Sequence, residues 1–217
     1  LICMKGYYNM DLTSPRTIRN IQEQFGFTFK KGLGQNFLTA RNILEEIVDA
    51  AEIESGVIEV GPGFGVLTSE LAQNSDKVVT IEIDERLIDV LDYTLAEYDN
   101  VKIINEDILK LDLKKVIDDE FNGEKVSIAA NLPYYITTPI ITKLLEEKLP
   151  IKNIVVMVQK EVAERMSAKP STKDYGAITV LCQYYTEPSI VANVPASLFV
   201  PPPKVDSAVL KLKAVSY

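Results

Sequence analysis

The chain has 217 residues, a formal net charge of −8 and no histidine. The length fits one sizeable domain with a buried core, and the absence of histidine excludes Ser-His-Asp and Cys-His catalysis, imidazole bases and His-ligated metals. Two cysteines, Cys3 and Cys182, are too few for a disulfide framework or a zinc-ligand cluster, which predicts a reducing cytoplasm and no metal site.

The first 42 residues differ from the rest of the chain in charge. They contain six basic and two acidic residues, a net +4, which leaves −12 for residues 43–217. A basic leading edge on an acidic body is compatible with RNA contact at one face, although on charge alone a chance fluctuation fits equally well. We therefore expect a basic N-terminal helix-loop extension over residues 1–42 and a main domain over residues 43–217. No apolar run approaches the length of a membrane span, and the N-terminus lacks the apolar core of a signal peptide.

The N-terminal extension is predicted to form a helix and a loop before the next helix begins. Ser14 and Pro15 are typical of a helix start, and we expect that helix to continue to about Phe25. Residues 27–38 contain Gly32 and Gly34 and are predicted to be irregular. Thr39 is predicted to cap the next helix. Four apolar residues are spaced to line one face of it: Ile43, Leu44, Ile47 and Val48.

From residue 57 onward, short apolar strands alternate with helices. The predicted strands cover residues 57–60, 78–83, 101–104, 126–130 and 154–158, and the predicted helices cover 66–72, 85–97, 113–121 and 139–147. This alternation indicates βαβ units and a parallel sheet with helices on both faces. The last part is predicted to add a helix at 176–185, an extended segment at 189–194, a proline-rich loop at 196–203 and a strand at 208–212. An antiparallel hairpin would then complete a mostly parallel, seven-stranded sheet of the α/β class.

A glycine-rich loop, Glu59-Val60-Gly61-Pro62-Gly63-Phe64-Gly65, follows the first of these strands and precedes a helix. Glycine lets the backbone approach a ligand closely, and in doubly wound sheets nucleotide-like cofactors bind at the carboxyl ends of the strands. The G-x-G-x-G spacing differs from the G-x-G-x-x-G of dehydrogenases and resembles motif I of class I methyltransferases. A tight strand-to-helix turn is the alternative interpretation.

Two acids after the next strands favour a bound adenosine over a simple turn. Glu82 ends the second strand, 21 residues after Gly61, where a carboxylate can accept hydrogen bonds from both ribose hydroxyls. Asp107 follows the third strand and can accept one from the exocyclic amine of the cofactor's adenine. A helix cap is the alternative role for either acid, and near Glu82 the better cap candidate is Asp84.

The tetrad Asn131-Leu132-Pro133-Tyr134 ends the fourth strand. The N6 amine of adenine is a poor nucleophile because its lone pair is delocalised into the ring, and acceptors for its two N–H groups would localise that pair. The side-chain carbonyl of Asn131 and the backbone carbonyl of Leu132, held by Pro133, can supply them, while Tyr134 can stack on the base. Such catalysis depends on positioning and electrostatics and needs no strong base. A turn is the alternative interpretation of an isolated N-x-P-Y.

Four stretches occur in the order found in one enzyme family: F-K-K-G-L-G-Q-N-F-L at 29–38, the loop at 59–65, the tetrad at 131–134 and F-V-P-P-P-K-V-D-S at 199–207. On these motifs the chain, from about Thr13 onward, is similar to ribosomal RNA adenine dimethyltransferases of the small-subunit (KsgA) type. The resemblance implies a class I (Rossmann-like) methyltransferase domain over residues 43–217. It implies S-adenosyl-L-methionine as cofactor and dimethylation of two adjacent adenosines near the 3′ end of small-subunit (16S) ribosomal RNA during ribosome biogenesis. The implied partner is a 30S assembly intermediate, and we expect a cytoplasmic monomer.

The resemblance also assigns residues to roles. The target base would lie between Tyr134 and Phe199, and a core aromatic is the alternative role of Phe199. Lys30 and Lys31 would contact RNA phosphates, unless they form only a solvated charged pair. The cofactor contacts carried over from the family are Asn36, Leu38, Gly61, Gly63, Glu82, Asp107 and Asn131.

Other functions stay open at this point. Macrolide-resistance methyltransferases, which modify one adenosine of large-subunit (23S) ribosomal RNA, share the fold and the tetrad pattern. Leu132 in place of Ile, and the continuation Thr137-Thr138-Pro139, favour the small-subunit type. A noncatalytic assembly or transcription factor on the same fold is a further alternative, against which the intact tetrad argues. The family's pattern continues past the closing strand into a small helical C-terminal domain, which is expected to be absent because this sequence stops at Tyr217.

Overall fold

The computed structural model describes residues 10–28 and 35–215. Lys30, Lys31 and Cys3 lie outside the described residues. The strands are β1 (Phe37–Leu38), β2 (Val57–Val60), β3 (Val78–Glu82), β4 (Val101–Asn105), β5 (Val126–Asn131), β6 (Ile151–Gln159), β7 (Thr186–Val194), β8 (Phe199–Val200) and β9 (Ser207–Ala214). The α-helices are α1 (Pro15–Phe25), α2 (Arg41–Ala51), α3 (Val66–Gln73), α4 (Ile88–Thr94), α5 (Leu113–Phe121), α6 (Thr137–Glu146), α7 (Lys160–Met166) and α8 (Ala177–Tyr185).

The main sheet has seven strands in the described residues, in the order β4-β3-β2-β5-β6-β9-β7. The strands from β4 to β6 are parallel, and β9 is antiparallel to both β6 and β7. The α/β class, the mostly parallel sheet and the closing antiparallel strands are therefore confirmed. From β2 the chain first runs outward to β3 and β4 and then returns to the other side of β2 with β5. This change of direction opens a crevice at the carboxyl ends of the strands.

The sheet separates two apolar clusters, one on each face. Val155 and Met157 of β6 belong to one cluster, and Val156 and Val158 belong to the other. Successive side chains of a strand point to opposite faces, so a strand buried on both faces has a continuous apolar sequence. This burial fixes the sheet and, with it, the strand ends at which the candidate site lies.

The N-terminal helices pack on one of these faces. Ile18 and Ile21 of α1 lie in the same cluster as Ile43 and Leu44 of α2. The first helix begins and ends where the sequence predicts, with Gly26 in the left-handed conformation after its last turn. The proposed boundary between residues 42 and 43 stays a prediction.

Several local predictions were wrong in detail. The residue before α2 is Ala40, and Thr39 instead donates its hydroxyl to the Leu198 carbonyl oxygen (2.8 Å). The helix expected over residues 85–97 is a 3₁₀ turn at Glu85–Leu87 followed by the shorter α4. Its start is capped by Asp84, as expected. Helix α7 was not predicted, and within residues 27–38 a short strand, β1, pairs with β8.

No described helix combines the length and the apolar character that a membrane span requires. In residues 10–28 and 35–215 there is also no group of three or more Cys, Asp or Glu side chains placed to hold a metal ion.

Candidate cofactor and substrate site

A pocket lies at the carboxyl ends of β2, β3, β4 and β5. The structure brings together in its lining all the residues that were assigned to the cofactor: Asn36, Leu38, Gly61, Gly63, Glu82, Asp107 and Asn131. These residues come from five separate stretches of the sequence. The parallel sheet gathers four of the stretches, because the ends of its strands meet at one edge, and the segment that contains β1 supplies the fifth.

The glycines of the loop after β2 serve different purposes. Gly61 has φ +70°, and a Cβ atom added there would meet nothing within 4 Å, so this position keeps the pocket open. Gly63 has φ +60°, and a Cβ atom there would lie 2.5 Å from Cε1 of Phe37. Glycine at 63 therefore lets the segment around β1 pack directly on the loop.

Glu82 lies at the end of β3 and is 5% exposed. One carboxylate oxygen accepts a hydrogen bond from the Asp84 backbone N–H (2.8 Å). Burial raises the pKa of Glu82 to about 7, and the neighbouring charge of Asp84 acts in the same direction. The group therefore changes charge near neutral pH inside the pocket.

Glu59, the acid at the start of the glycine loop, also lines the pocket. It is buried, and its carboxylate accepts a hydrogen bond from the Thr68 hydroxyl (2.5 Å). Burial raises the pKa of Glu59 to about 8, and the nearby Glu82 adds to that rise. In their ionised forms, two acids that share one pocket can balance a positive charge on a ligand, and such a ligand would in turn lower their pKa values.

The position of Asp107 is compatible with both roles that its sequence position suggested, a cap and a ligand contact. Its Oδ1 accepts a hydrogen bond from the Leu109 N–H (3.0 Å), as a turn-capping residue does. Its Oδ2 lies 3.8 Å from Nζ of Lys110, and the residue lines the pocket. A cap and a ligand contact are compatible, because a carboxylate has two oxygens.

Asn131 is oriented by a residue far away in the sequence. Its side-chain N–H donates to the backbone carbonyl oxygen of Asn36 (2.9 Å). The amide therefore presents its oxygen as the acceptor for a ligand. The next peptide is fixed as well, because the Leu132 N–H donates to the Met157 carbonyl oxygen (3.1 Å) and Pro133 follows with φ −59°. Sequence reasoning identified Asn131 but not the partner that orients it.

The aromatic residues expected at the target base differ in their burial and contacts. Phe199 is 3% exposed, lies in an apolar cluster and belongs to β8, which pairs with β1. Tyr134 is partly buried, and its hydroxyl shares a hydrogen bond with Ser207 (2.7 Å). Neither residue lines the pocket, whereas Tyr135 does and is 57% exposed. Stacking of a base between Tyr134 and Phe199 stays a prediction. The doubled tyrosine of the sequence was the only signal that could have pointed to Tyr135.

Residues 35–38 connect the cofactor loop to the tetrad. The Gln35 side-chain amide donates to Asp84 (3.3 Å), and Asn36 accepts from Asn131. The Phe37 ring stacks on Phe64 of the glycine loop, with centroids 4.4 Å apart. Leu38 pairs with Phe199 across the two-stranded sheet β1-β8.

Comparison with known proteins gives a consistent result. The chain matches the family "Ribosomal RNA adenine dimethylase" over residues 26–215. It is 55% identical over 205 residues to a Bacillus mycoides protein named "Ribosomal RNA small subunit methyltransferase A", covering 93% of this chain and 70% of that protein. A Bacillus cereus protein of the same name matches to the same extent.

Solved structures show the same relationship. A dimethyladenosine transferase from Plasmodium falciparum is 36% identical, with a TM-score of 0.73 over 82% of this chain and 63% of that one. The 23S rRNA methyltransferase ErmE is 32% identical, with a TM-score of 0.70 over 83% of this chain and 70% of that one.

Proposed function

This chain belongs to the ribosomal RNA adenine dimethylase family, and from that premise we propose that it transfers methyl groups from S-adenosyl-L-methionine to N6 of two adjacent adenosines in small-subunit ribosomal RNA. The observation that carries the proposal is the orientation of Asn131: its N–H is bound to Asn36, so its oxygen is the acceptor offered at the end of β5. The relatives named for the small subunit are 55% identical, whereas ErmE is 32% identical, which favours the small-subunit substrate over the large-subunit alternative.

The pocket fits the proposed cofactor. The open space at Gly61 admits a ligand against the backbone. Glu82 would accept hydrogen bonds from the ribose hydroxyls, and Asp107 would accept one from the adenine amine. Glu59 and Glu82 both line the pocket and, when ionised, can balance the positive charge of a sulfonium. The cofactor supplies an activated methyl group.

The chain's own residues would prepare the acceptor base. Asn131 Oδ1 and the Leu132 carbonyl oxygen would each accept one N–H of the N6 amine, which localises the nitrogen lone pair for in-line attack. Tyr134 would hold the face of the base. Each of these groups acts by fixed position, and none of them needs to carry a proton, which suits a chain without histidine.

The finer assignments belong to the same proposal. The natural substrate would be a 30S assembly intermediate in the cytoplasm, bound by a monomer. Lys30 and Lys31 would contact RNA phosphates, which support binding without reading sequence.

Mass spectrometry of ribosomal RNA tests the proposal. The protein is incubated with undermethylated ribosomal subunits and isotope-labelled cofactor, and the RNA is digested to nucleosides. We expect labelled dimethyladenosine in small-subunit RNA. Label in large-subunit RNA alone would support a methyltransferase of the macrolide-resistance type instead. Subunit binding without any label would support a noncatalytic assembly factor.

A further inference from the structure

Ser207 is a buried polar residue that the proposed chemistry does not use. It is 0% exposed and is the first residue of β9, where it pairs with Gln159 of β6 and Val194 of β7. A buried hydroxyl without a partner is costly. The partner of this one is the hydroxyl of Tyr134, 2.7 Å away and 73 positions earlier in the sequence.

The two ends of this hydrogen bond differ in how firmly they are held. Ser207 is held in the sheet between two strands, and the preceding Asp206 is fixed by bonds from the N–H groups of Ala196 (2.9 Å, to Oδ1) and Lys160 (3.0 Å, to the carbonyl oxygen). Tyr134 lies in the short 3₁₀ turn Tyr134–Ile136 that follows Pro133. The bond therefore ties the ring of a turn residue to a rigid strand, and it limits the rotation of that ring.

We propose that Ser207 is a positioning residue that fixes the ring of Tyr134 against the target base, and that its loss impairs the second methyl transfer more than the first. The inference rests on the proposed function. It adds a role for the serine that ends the motif at 199–207, and it predicts a change in product composition.

The asymmetry follows from the chemistry of the amine. In each transfer an N6–C bond forms as a C–S bond breaks, the electron pair returns to sulfur, and one N6 proton passes to water. Before the first transfer the amine has two N–H groups for the two acceptors, Asn131 Oδ1 and the Leu132 carbonyl. Before the second it has only one, so the base is held by one hydrogen bond fewer. Stacking on Tyr134 then contributes a larger share of the positioning.

The test measures the ratio of N6-methyladenosine to N6,N6-dimethyladenosine in small-subunit RNA during a time course with undermethylated subunits. We expect Ser207→Ala to raise this ratio about threefold to tenfold, the size of effect that the loss of one hydrogen bond gives. Calorimetry should show unchanged affinity for S-adenosyl-L-methionine, because neither Ser207 nor Tyr134 lines the pocket.

Removing the other partner provides an independent measurement. Tyr134→Phe keeps the ring and deletes the hydroxyl, so it should raise the ratio to the same extent, and adding Ser207→Ala to it should raise the ratio no further. This variant keeps the inference testable if Ser207→Ala does not fold. Ser207→Cys, whose thiol is a weaker hydrogen-bonding group, should give an intermediate ratio.

Ser127 offers a matched control. It is a buried serine of β5 whose hydroxyl donates to the Ala51 carbonyl oxygen (2.6 Å). Ser127→Ala should lower stability as Ser207→Ala does but leave the product ratio unchanged. A wild-type ratio in both Ser207→Ala and Tyr134→Phe, or an equal rise in Ser127→Ala, would overturn the inference. Failure of the wild-type protein to methylate small-subunit RNA at all would instead overturn the proposed function.

Discussion

The cofactor side and the substrate side of the site are built in different ways. On the cofactor side, Gly61, Glu82 and Asp107 follow three strands that are consecutive in the sequence. On the substrate side, Asn131 and Tyr134 follow one strand but are oriented by partners 95 and 73 positions away, Asn36 and Ser207. A parallel sheet is sufficient to bring these three cofactor-side residues together, whereas the orientation of Asn131 and Tyr134 also needs the segment before β1 and the first residue of β9.

The two sides also differ in charge. Glu59 and Glu82 have pKa values raised to about 8 and about 7, so the cofactor side titrates near neutral pH. The substrate side would act through an amide, a backbone carbonyl and the phenol of Tyr134, and burial raises the pKa of this phenol above its usual value. We therefore expect substitutions on the substrate side to lower the rate of methyl transfer, and substitutions on the cofactor side to lower the affinity for the cofactor.

The largest effect is expected on the substrate side, for Asn131→Ala. It removes the N6 acceptor, and the rate of methyl transfer should fall about 100-fold to 1000-fold, as when a preorganised hydrogen-bonding partner is deleted from an active site. The melting temperature should change little, because only the bond to Asn36 is lost. Asn193→Ala, at an exposed position of β7, is the control. Near wild-type transfer by the Asn131 variant would refute the mechanism.

Glu82→Ala should affect the cofactor side and lower the affinity for the cofactor. Two hydrogen bonds from ribose hydroxyls to a carboxylate would be lost, so the dissociation constant for S-adenosyl-L-methionine should rise about 10-fold to 100-fold. Calorimetry measures this, with the exposed Glu124→Ala as the control. An unchanged dissociation constant would show that the ribose is held elsewhere.

The raised pKa of Glu82 predicts that cofactor-site affinity depends on pH. If binding needs the carboxylate, affinity should rise about tenfold per pH unit as pH approaches 7 and level off above it. 5′-Methylthioadenosine is a suitable probe because it has the ribose hydroxyls but no group that titrates in this range. The dependence should disappear in Glu82→Gln, and its persistence there would assign the titration to another group.

The raised pKa of Glu82 also makes stability depend on pH. Stability should fall as pH rises, whereas cofactor affinity should increase. The folded protein holds the Glu82 proton up to about pH 7, whereas the unfolded chain loses it near the ordinary value of 4.5. The unfolded state therefore binds fewer protons between these values, and the contribution of Glu82 to the free energy of unfolding falls as pH rises from 4.5 to 7. Denaturant unfolding at several pH values measures this fall. The free energy of unfolding should decrease less between pH 4.5 and 7 in Glu82→Gln than in the wild-type protein.

The smallest and most local effect compares two glycines of one loop. Both have positive φ, so alanine at either position costs about 1 kcal/mol or somewhat more in backbone strain. Gly63→Ala should cost about 1–3 kcal/mol in addition, because its methyl group would collide with Phe37. Gly61→Ala should mainly weaken cofactor binding, because its methyl group would enter open space in the pocket. Equal losses of stability in the two variants would show that Phe37 moves aside.

Sequence patterns predicted best what depends on neighbours along the chain. The glycine loop, the acids after β3 and β4 and the helix Leu113–Phe121 are local features, and the structure has them where they were expected. The gathering of Gly61, Gly63, Glu82, Asp107 and Asn131 around one pocket also followed, since parallel strands must end at a common edge, whereas the arrival of Asn36 and Leu38 there did not. Whether they bind the cofactor stays a prediction.

What depends on long-range packing could not be predicted in this way. The pairing of β1 with β8 decides that Phe199 is buried, and no local pattern distinguishes a buried phenylalanine from an exposed stacking ring. The same holds for the bond between Tyr134 and Ser207, because both residues have ordinary local roles in a turn and in a strand. Thr39 was expected to cap a helix, but its hydroxyl instead donates a hydrogen bond to the carbonyl oxygen of Leu198, 159 positions away.

The bond from the Leu132 N–H to the Met157 carbonyl oxygen bears on the chemical ageing of the protein. Spontaneous deamidation of an asparagine begins when the backbone nitrogen of the next residue attacks the side-chain carbonyl carbon to close a succinimide ring. At Asn131 that nitrogen is held in the sheet by its hydrogen bond, and the Leu132 side chain beyond it is buried. Ring closure would have to break this bond and rotate the peptide. We therefore expect the folded protein to convert Asn131, on which the proposed chemistry depends, to aspartate more slowly than the unfolded chain does.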